Sequence, residues 1–224
     1  MKPPALIAEF IGTFALIFVG ILVIVNLGQA EAGLIGIALA HGLTIACFVS
    51  ATAAISGGHL NPAVSFGLFV GKKIDAMTMF SYWAAQLLGA AVAALAAKAV
   101  LTGDTTQFIV AGTPALGKGT TLVPGIIAEA ITTFFLVFVV YGTAVYRHAP
   151  KVGGLFIGLT ITVGIFAVGP LTGGALNPAR WFGPALVSGN FANAVVYIVG
   201  PLLGGGLAGA LYSFVLEEKE SPAD

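Results

Sequence analysis

The chain has 224 residues, of which 58% are hydrophobic and 8% are charged, and its formal net charge is zero. A water-soluble domain of this size needs more charged surface, so the composition indicates an integral membrane protein. Nine cationic residues balanced by nine anionic ones exclude a basic surface for nucleic acid. The single cysteine, Cys47, excludes an intrachain disulfide, and its apolar surroundings predict a small packing residue.

Six apolar stretches are long enough to cross a bilayer, which needs about 20 residues for ~30 Å of hydrocarbon. In chain order they are 5–25, 33–55, 77–101, 122–146, 152–170 and 191–216. Two further apolar stretches, 61–70 and 177–187, are too short to span, so we expect them to enter the membrane and turn back. The sequence therefore predicts an all-α membrane protein with six transmembrane helices and two re-entrant half-helices, forming a single membrane domain over residues 1–224.

Three segments of the first half of the chain recur in the same order in the second half. AEFIGTFALIFVG (8–20) recurs as AEAITTFFLVFVV (128–140), SGGHLNPAVSFG (56–67) as TGGALNPARWFG (172–183), and YWAAQLLGAAVAA (82–94) as YIVGPLLGGGLAG (197–209). Three matches in one order indicate two copies of one unit, over 5–101 and 122–216. Each copy has three spans, an odd number, so the second crosses in the opposite direction and the repeat is inverted.

The basic residues are unevenly distributed between the two sides of this topology. One side carries Lys2, Lys72, Lys73, Arg147, Lys151 and Lys219, whereas Lys98, Lys118 and Arg180 fall elsewhere. By the positive-inside rule we expect both termini to be cytoplasmic. We expect the cell membrane as the location, with the vacuolar membrane as the alternative.

Asn61-Pro62 and Asn177-Pro178 predict the starts of the two half-helices, because asparagine is a good N-cap and proline fits the first helical position. The inverted repeat brings the two N-termini together near the membrane midplane. Each terminus contributes about half a positive elementary charge, and each asparagine offers N–H donors. Such a site repels cations and hydrogen-bonds a small neutral molecule. We expect the preceding loops to line the path through Gly57, Gly58, His59 and Gly173.

The paired Asn-Pro-Ala boxes, each after a Gly-Gly pair and within six spans, resemble those of the aquaporins, or major intrinsic proteins. The boxes are Asn61, Pro62, Ala63 and Asn177, Pro178, Ala179. The resemblance extends from Glu9 to about Tyr212. It implies a homotetramer of right-handed bundles in the lipid bilayer, with one pore per subunit for water or small neutral solutes. It implies no enzymatic activity, no cofactor and no metal.

The resemblance also implies an outer constriction of four residues. Here they are His41, Ile165, Gly174 and Arg180. His41 and Ile165, with a small third residue, resemble the plant vacuolar (tonoplast) branch, whose members are linked to water and ammonia. A permanent charge such as that of Arg180 must face water or a partner at membrane depth.

Three classes of function remain open on the sequence alone. The first is a passive channel for water, with ammonia as a second solute, that excludes ions and protons; a broader channel for glycerol or other neutral solutes is its variant. Glycerol channels of the family more often carry Asp at position 181 and a basic residue at 185, where this chain has Trp181 and Ala185. The second is a secondary transporter, which needs a coupling-ion site, but no acidic residue adjoins either box in the sequence. The third is an intramembrane enzyme, for which no nucleophile or metal-ligand cluster is evident.

Three other residues within or beside the membrane segments have two interpretations each. Glu9 and Glu129 lie inside spans, as parts of a proton relay or as anchors for the neighbouring re-entrant loops. Their matched positions in the two repeats favour anchors. His59 adjoins the first box and lines the path either through its side chain or through its carbonyl.

Overall fold

The structure is a computed structural model that describes residues 2–28, 30, 32–150 and 152–217. All regular secondary structure in these residues is helical. The α-helices are α1 (Pro3–Leu27), α2 (Gly33–Ser56), α3 (Pro62–Val70), α4 (Ala76–Val100), α5 (Thr105–Gly112), α6 (Leu122–Val140), α7 (Gly153–Thr172), α8 (Pro178–Ser188) and α9 (Ala194–Leu211). A π-helical segment, Tyr141–Val145, extends α6, and another, Tyr212–Leu216, extends α9.

Six helices are long and apolar enough to cross a membrane, namely α1, α2, α4, α6, α7 and α9. Their lengths are 20 to 25 residues when the π-helical ends are included. The six predicted spans are confirmed, and their ends differ from the predicted ones by a few residues. Helices α3 and α8, of nine and 11 residues, are the two predicted half-helices.

A salt bridge joins the end of α3 to the end of α9. The Lys73 Nζ atom lies 2.6 Å from Glu217 Oε2. These two ends therefore lie on the same side of the membrane, as the predicted topology requires. Two of the basic residues used to orient that topology, Lys151 and Lys219, lie outside the described residues, and the cytoplasmic position of the termini stays a prediction.

Helix α5, in the connection between the two repeats, was not predicted. Asp104 caps it, because its Oδ1 atom accepts a hydrogen bond of 3.1 Å from the backbone N–H of Gln107. The helix packs against α1, α4 and α8, which brings its last residue, Gly112, toward the centre of the bundle. In the sequence this helix is indicated only by Asp104, a good N-cap residue, before the polar residues Thr105 to Gln107.

The prediction that Cys47 is a packing residue is wrong. Cys47 is exposed, on the same face of α2 as Leu43, whose side chain is also exposed. The buried face of α2 instead carries His41, Ile45 and Val49. In a membrane protein both the core and the lipid-facing surface are apolar, so apolar neighbours in the sequence cannot tell one face from the other.

Glycines allow the closest helix crossings. A Cβ atom added to Gly158 of α7 would overlap the carbonyl oxygen of Gly42 in α2, and one added to Gly209 of α9 would overlap that of Gly67 in α3. In the sequence Gly154 and Gly158, and Gly205 and Gly209, form small-residue pairs four positions apart, a pattern that predicts helix contacts. A Cβ atom added to any of the four would overlap a neighbouring helix, so this prediction is confirmed. Close crossings of this kind leave the half-helices enclosed by the spans.

We predict that Gly209→Ala lowers the melting temperature of the detergent-solubilised protein. The added Cβ would overlap the Gly67 backbone, and overpacking of this kind costs about 1–3 kcal/mol. The matched control is Gly206→Ala on the same helix, where the new Cβ meets a ring carbon of Phe66 at 2.9 Å. That ring can turn aside, so the control should melt closer to the wild type. Equal melting temperatures for the two variants would contradict the packing argument.

Candidate functional site

Each half-helix begins at its asparagine. The Oδ1 atom of Asn61 accepts a hydrogen bond of 2.8 Å from the backbone N–H of Ala63, and Asn177 Oδ1 accepts one of 2.9 Å from Ala179. Prolines 62 and 178 occupy the first helical positions. The predicted helix starts are confirmed, and α3 and α8 contact each other.

The two asparagines also tie the re-entrant loops to each other. Asn61 Nδ2 donates to the carbonyl oxygen of Leu176 at 2.9 Å, and Asn177 Nδ2 donates to that of Leu60 at 3.0 Å. A side-chain amide has two N–H donors, so one donor of each asparagine remains. Both asparagines line the central cavity, where these donors are available to a molecule inside it.

The loop residue before each asparagine has an unfavourable backbone conformation. Leu60 and Leu176 have φ angles of +51° and +52°, in the left-handed region that costs a leucine free energy. Both side chains are fully buried. In this conformation the backbone N–H of each leucine points away from the cavity and donates to a buried carboxylate, Glu9 for Leu60 and Glu129 for Leu176.

The carboxylate behind the first loop belongs to Glu9, which is fully buried. Its Oε1 atom accepts hydrogen bonds from the Ser56 hydroxyl at 2.6 Å and from the backbone N–H of His59 at 2.9 Å. Its Oε2 atom accepts from the backbone N–H of Leu60 at 2.6 Å and from Gln86 Nε2 at 2.8 Å. Four donors thus converge on one carboxylate, which satisfies buried backbone groups that no helix or sheet can serve.

Glu129 occupies the corresponding place behind the second loop. Its Oε1 atom accepts from the Thr172 hydroxyl at 2.6 Å and from the backbone N–H of Ala175 at 2.9 Å, and its Oε2 atom accepts from Leu176 N–H at 2.7 Å. Both carboxylates therefore lie close behind the boxes in space, although no acidic residue adjoins a box in the sequence. Neither glutamate lines the central cavity, and this geometry favours anchors over a proton relay.

The central cavity is narrow and passes both boxes. Its volume is about 20 Å³, enough for a water molecule, which needs roughly 10–15 Å³ measured in this way. The re-entrant segments contribute Gly58, His59, Asn61, Gly174, Ala175, Asn177 and Arg180, and the spans contribute mainly apolar side chains such as Leu16, Ile45, Leu136 and Ile161. The lumen therefore has one polar side and one apolar side.

Two of the four residues predicted to line the path lie outside this wall. Gly57 and Gly173 end α2 and α7, with φ angles of +90° and +80° that turn the chain into the loops. Gly58 and His59 are in the wall. The His59 Nδ1 atom lies 3.0 Å from the Ser65 hydroxyl oxygen, and whether His59 lines the path through its side chain or through its carbonyl stays a prediction.

The four residues expected at the outer constriction all line the cavity. The Arg180 Nε–H donates to His41 Nε2 at 3.1 Å, and Arg180 Nη1 donates to the carbonyl oxygen of Gly112 at 2.8 Å. Gly174 leaves room beside Ile165, since a Cβ added there would lie 3.2 Å from the Ile165 Cα atom. The Gly112 contact comes from α5, which sequence reasoning missed.

The hydrogen bonds of His41 determine its tautomer. Its Nδ1 atom lies 2.8 Å from the carbonyl oxygen of Ile37, which can only accept, so Nδ1 carries the proton. Its Nε2 atom then accepts from the Arg180 guanidinium, which can only donate. His41 is neutral in this arrangement. Gly20 makes room for the ring, because a Cβ there would lie 2.6 Å from Nε2.

The guanidinium of Arg180 keeps its charge available to the lumen. It has five N–H donors, and two of them make the hydrogen bonds to His41 and Gly112. Within the described part of the chain no carboxylate forms a salt bridge with it. The cavity thus holds an arginine charge, two asparagine donors and two helix N-termini, with no carboxylate in its wall.

Comparisons with known proteins agree with this arrangement. Residues 3–212 match the family model described as Major intrinsic protein. Relatives include probable aquaporin TIP2-1 of Oryza sativa subsp. japonica (45% identical, over 94% of this chain and 87% of that protein) and probable aquaporin TIP2-2 of Arabidopsis thaliana (41%, 98% and 90%). The X-ray structure of the aquaglyceroporin from Plasmodium falciparum matches with a TM-score of 0.81 and 27% identity, over 95% of this chain and 96% of that one.

We predict that Glu9→Gln strongly destabilises the protein. Whichever way the new amide turns, its NH₂ group faces two buried donors, and each donor left unsatisfied costs about 1–3 kcal/mol. The control is Asp104→Asn, because asparagine also caps a helix and this site is exposed. Thermal unfolding in detergent measures both variants. If Glu9→Gln melts with the control, the carboxylate does not hold the loop.

Proposed function

The chain belongs to the major intrinsic protein family, and from this premise we propose that it forms a passive water channel. The family is one of membrane channels rather than enzymes. The observation that carries the proposal is the narrow cavity that passes both boxes, with donors on one side and apolar side chains on the other. Water in such a lumen exchanges hydrogen bonds with the polar side. The apolar side forms no hydrogen bonds with it and so does not hold it in place.

The width of the cavity supports water over larger solutes. Its volume of about 20 Å³ is close to what one water molecule needs. The constriction we propose is supported by the hydrogen bond between Arg180 and His41, which both line the cavity, and two large side chains at one level leave less room for glycerol. Ammonia is the second solute we propose, because it is as small as water and Ile165 and Gly174 provide space beside these donors.

Electrostatics support the exclusion of ions. The N-termini of α3 and α8 each present about half a positive charge to the lumen, and Arg180 adds a full charge. The residues that line the cavity include no carboxylate, so a cation meets the arginine charge and two helix N-termini and finds no anionic side chain that replaces its water. The one N–H that each asparagine leaves for the lumen makes water at the boxes an acceptor there, which interrupts a chain of proton transfer.

We propose a homotetramer in a vacuolar-type membrane, with one pore per subunit. The TIP2 relatives and the tonoplast-like pair of His41 and Ile165 support this membrane over the cell membrane expected from the sequence alone. The six apolar spans suit a multi-pass protein in either membrane.

We predict that liposomes containing the purified protein shrink rapidly under an osmotic gradient, with a low activation energy and without any ion gradient. Ile161→Trp should abolish this flux, because the indole would fill the lumen beside the boxes. The matched control is Leu159→Trp, which changes an exposed residue of the same helix. Stopped-flow light scattering measures both. Flux that requires a proton or sodium gradient would exclude the channel.

We predict that the two constriction residues control selectivity separately. Arg180→Val should raise glycerol and urea flux and admit cations, because it widens the lumen and removes its charge. His41→Phe should reduce ammonia passage more than water passage, because the larger ring has no polar atom. Lys118→Val, at an exposed loop position, controls for loss of a charge. Unchanged ratios among water, ammonia and glycerol in both variants would place the constriction elsewhere.

A further inference from the structure

A groove runs along the outward face of α9, separate from the central cavity. Phe66 and Val70 of α3 form one side, and residues of α9 from Val199 to Ala210 form the other. The groove has a volume of about 460 Å³ and opens to the surroundings, since Leu203 and Leu207 are 50% and 62% exposed. Gly206 supplies its floor, because any side chain there would meet the Phe66 ring.

The length of the groove is close to that of one acyl chain, which fills about half of the hydrocarbon core. From Val199 to Ala210 the helix rises 11 residues, or about 16 Å at about 1.5 Å per residue. Half of a hydrocarbon core of about 30 Å is about 15 Å. An extended acyl chain therefore matches the groove from end to end.

The inner end of the groove leads into a second apolar cavity. Leu202 lines both, and the second cavity has a volume of about 170 Å³. Its walls include Trp83 and Trp181, together with Pro62 and Pro178. These prolines begin the half-helices, so the second cavity lies at the level of the boxes, near the membrane midplane. The end of an acyl chain would lie there.

The outer end of the groove carries a positive charge. Phe214 follows Ala210 by one helical turn, and the Lys72 Nζ atom lies 5.6 Å from the centroid of its ring. The neighbouring Lys73 is neutralised by its salt bridge with Glu217. Among the described residues no carboxylate is paired with Lys72. The charge therefore lies where α3 and α9 end, at the level of lipid headgroups.

We propose that this groove binds an anionic phospholipid. The phosphate contacts the Lys72 ammonium, one acyl chain lies between α3 and α9, and the chain end enters the tryptophan cavity. The charge favours a negative head and the groove fits one acyl chain, which together define an amphipathic anion. A partner protein with a flat surface would supply neither the negative head nor the hydrocarbon chain. The proposal is independent of the solute that the pore conducts.

The two tryptophans of the chain provide the readout, since both line the inner cavity. The protein is reconstituted in phosphatidylcholine with a small fraction of phospholipid brominated near the acyl-chain end, because bromine in contact quenches indole fluorescence. The brominated lipid is phosphatidylglycerol in one series and phosphatidylcholine in the other. A lysine near an anionic lipid contributes about 1 kcal/mol, which corresponds to about a fivefold preference. We expect phosphatidylglycerol to quench at a correspondingly lower mole fraction.

Two variants and one control determine whether the preference belongs to the groove. Lys72→Gln should abolish the preference for phosphatidylglycerol, whereas Lys118→Gln, the same change at an exposed loop position, should retain it. Ala210→Phe narrows the outer end of the groove and should reduce quenching by both lipids. Equal quenching by the two lipids in the wild-type protein would overturn the proposal. A preference that survives Lys72→Gln would overturn it too. Absence of quenching by either lipid would also overturn it, because the acyl-chain end then does not reach the tryptophan cavity.

Discussion

A polypeptide that leaves helical geometry inside a membrane must find hydrogen-bond partners for its backbone, because hydrocarbon supplies none. In this protein two buried carboxylates meet that need. Glu9 and Glu129 each accept two consecutive backbone N–H groups of a re-entrant loop. The left-handed leucines, the asparagine caps and the polar side of the lumen all follow from loops held in this way. Each carboxylate makes its hydrogen bonds to groups of the protein itself, and neither carboxylate lines the lumen.

The two repeats share this framework but differ in the side chains around it. In the first repeat Ser65 and Gln86 continue the hydrogen-bond network from the carboxylate to His59. At the corresponding positions the second repeat has Trp181 and Pro201, and the Trp181 ring stacks on Tyr197 at 5.9 Å. The positive side chain is also present in one repeat and not in the other, because Arg180 occupies the position of Val64 in the first repeat. A symmetric scaffold thus gives a lumen that carries its arginine charge at one end.

The sequence was sufficient for features that depend on local chemistry or on the repeat. The six spans, the half-helix starts at Asn61 and Asn177 and the close glycine crossings could all be predicted, because chain length, capping and side-chain size determine them. The positions that line the lumen were harder. Gly57 and Gly173 resemble Gly58 and Gly174 in the sequence, yet only the second glycine of each pair reaches the wall. The orientation of Cys47 and the contact of Gly112 with Arg180 depend on how helices rotate and dock, which apolar composition does not encode.

The hydrogen bonds between the boxes have a consequence for how the chain is made. The Asn177 amide holds the carbonyl of Leu60 across 117 residues of sequence. At a synthesis rate of about 5–20 residues per second, the first loop therefore waits on the order of ten seconds for its partner. Until then the Leu60 carbonyl lacks the donor that it has in the folded protein, whereas the partner of the Leu60 N–H, Glu9, has already been made. The two halves of the lumen are synthesised one after the other. The hydrogen bonds between the boxes can form only after the second box has entered the membrane.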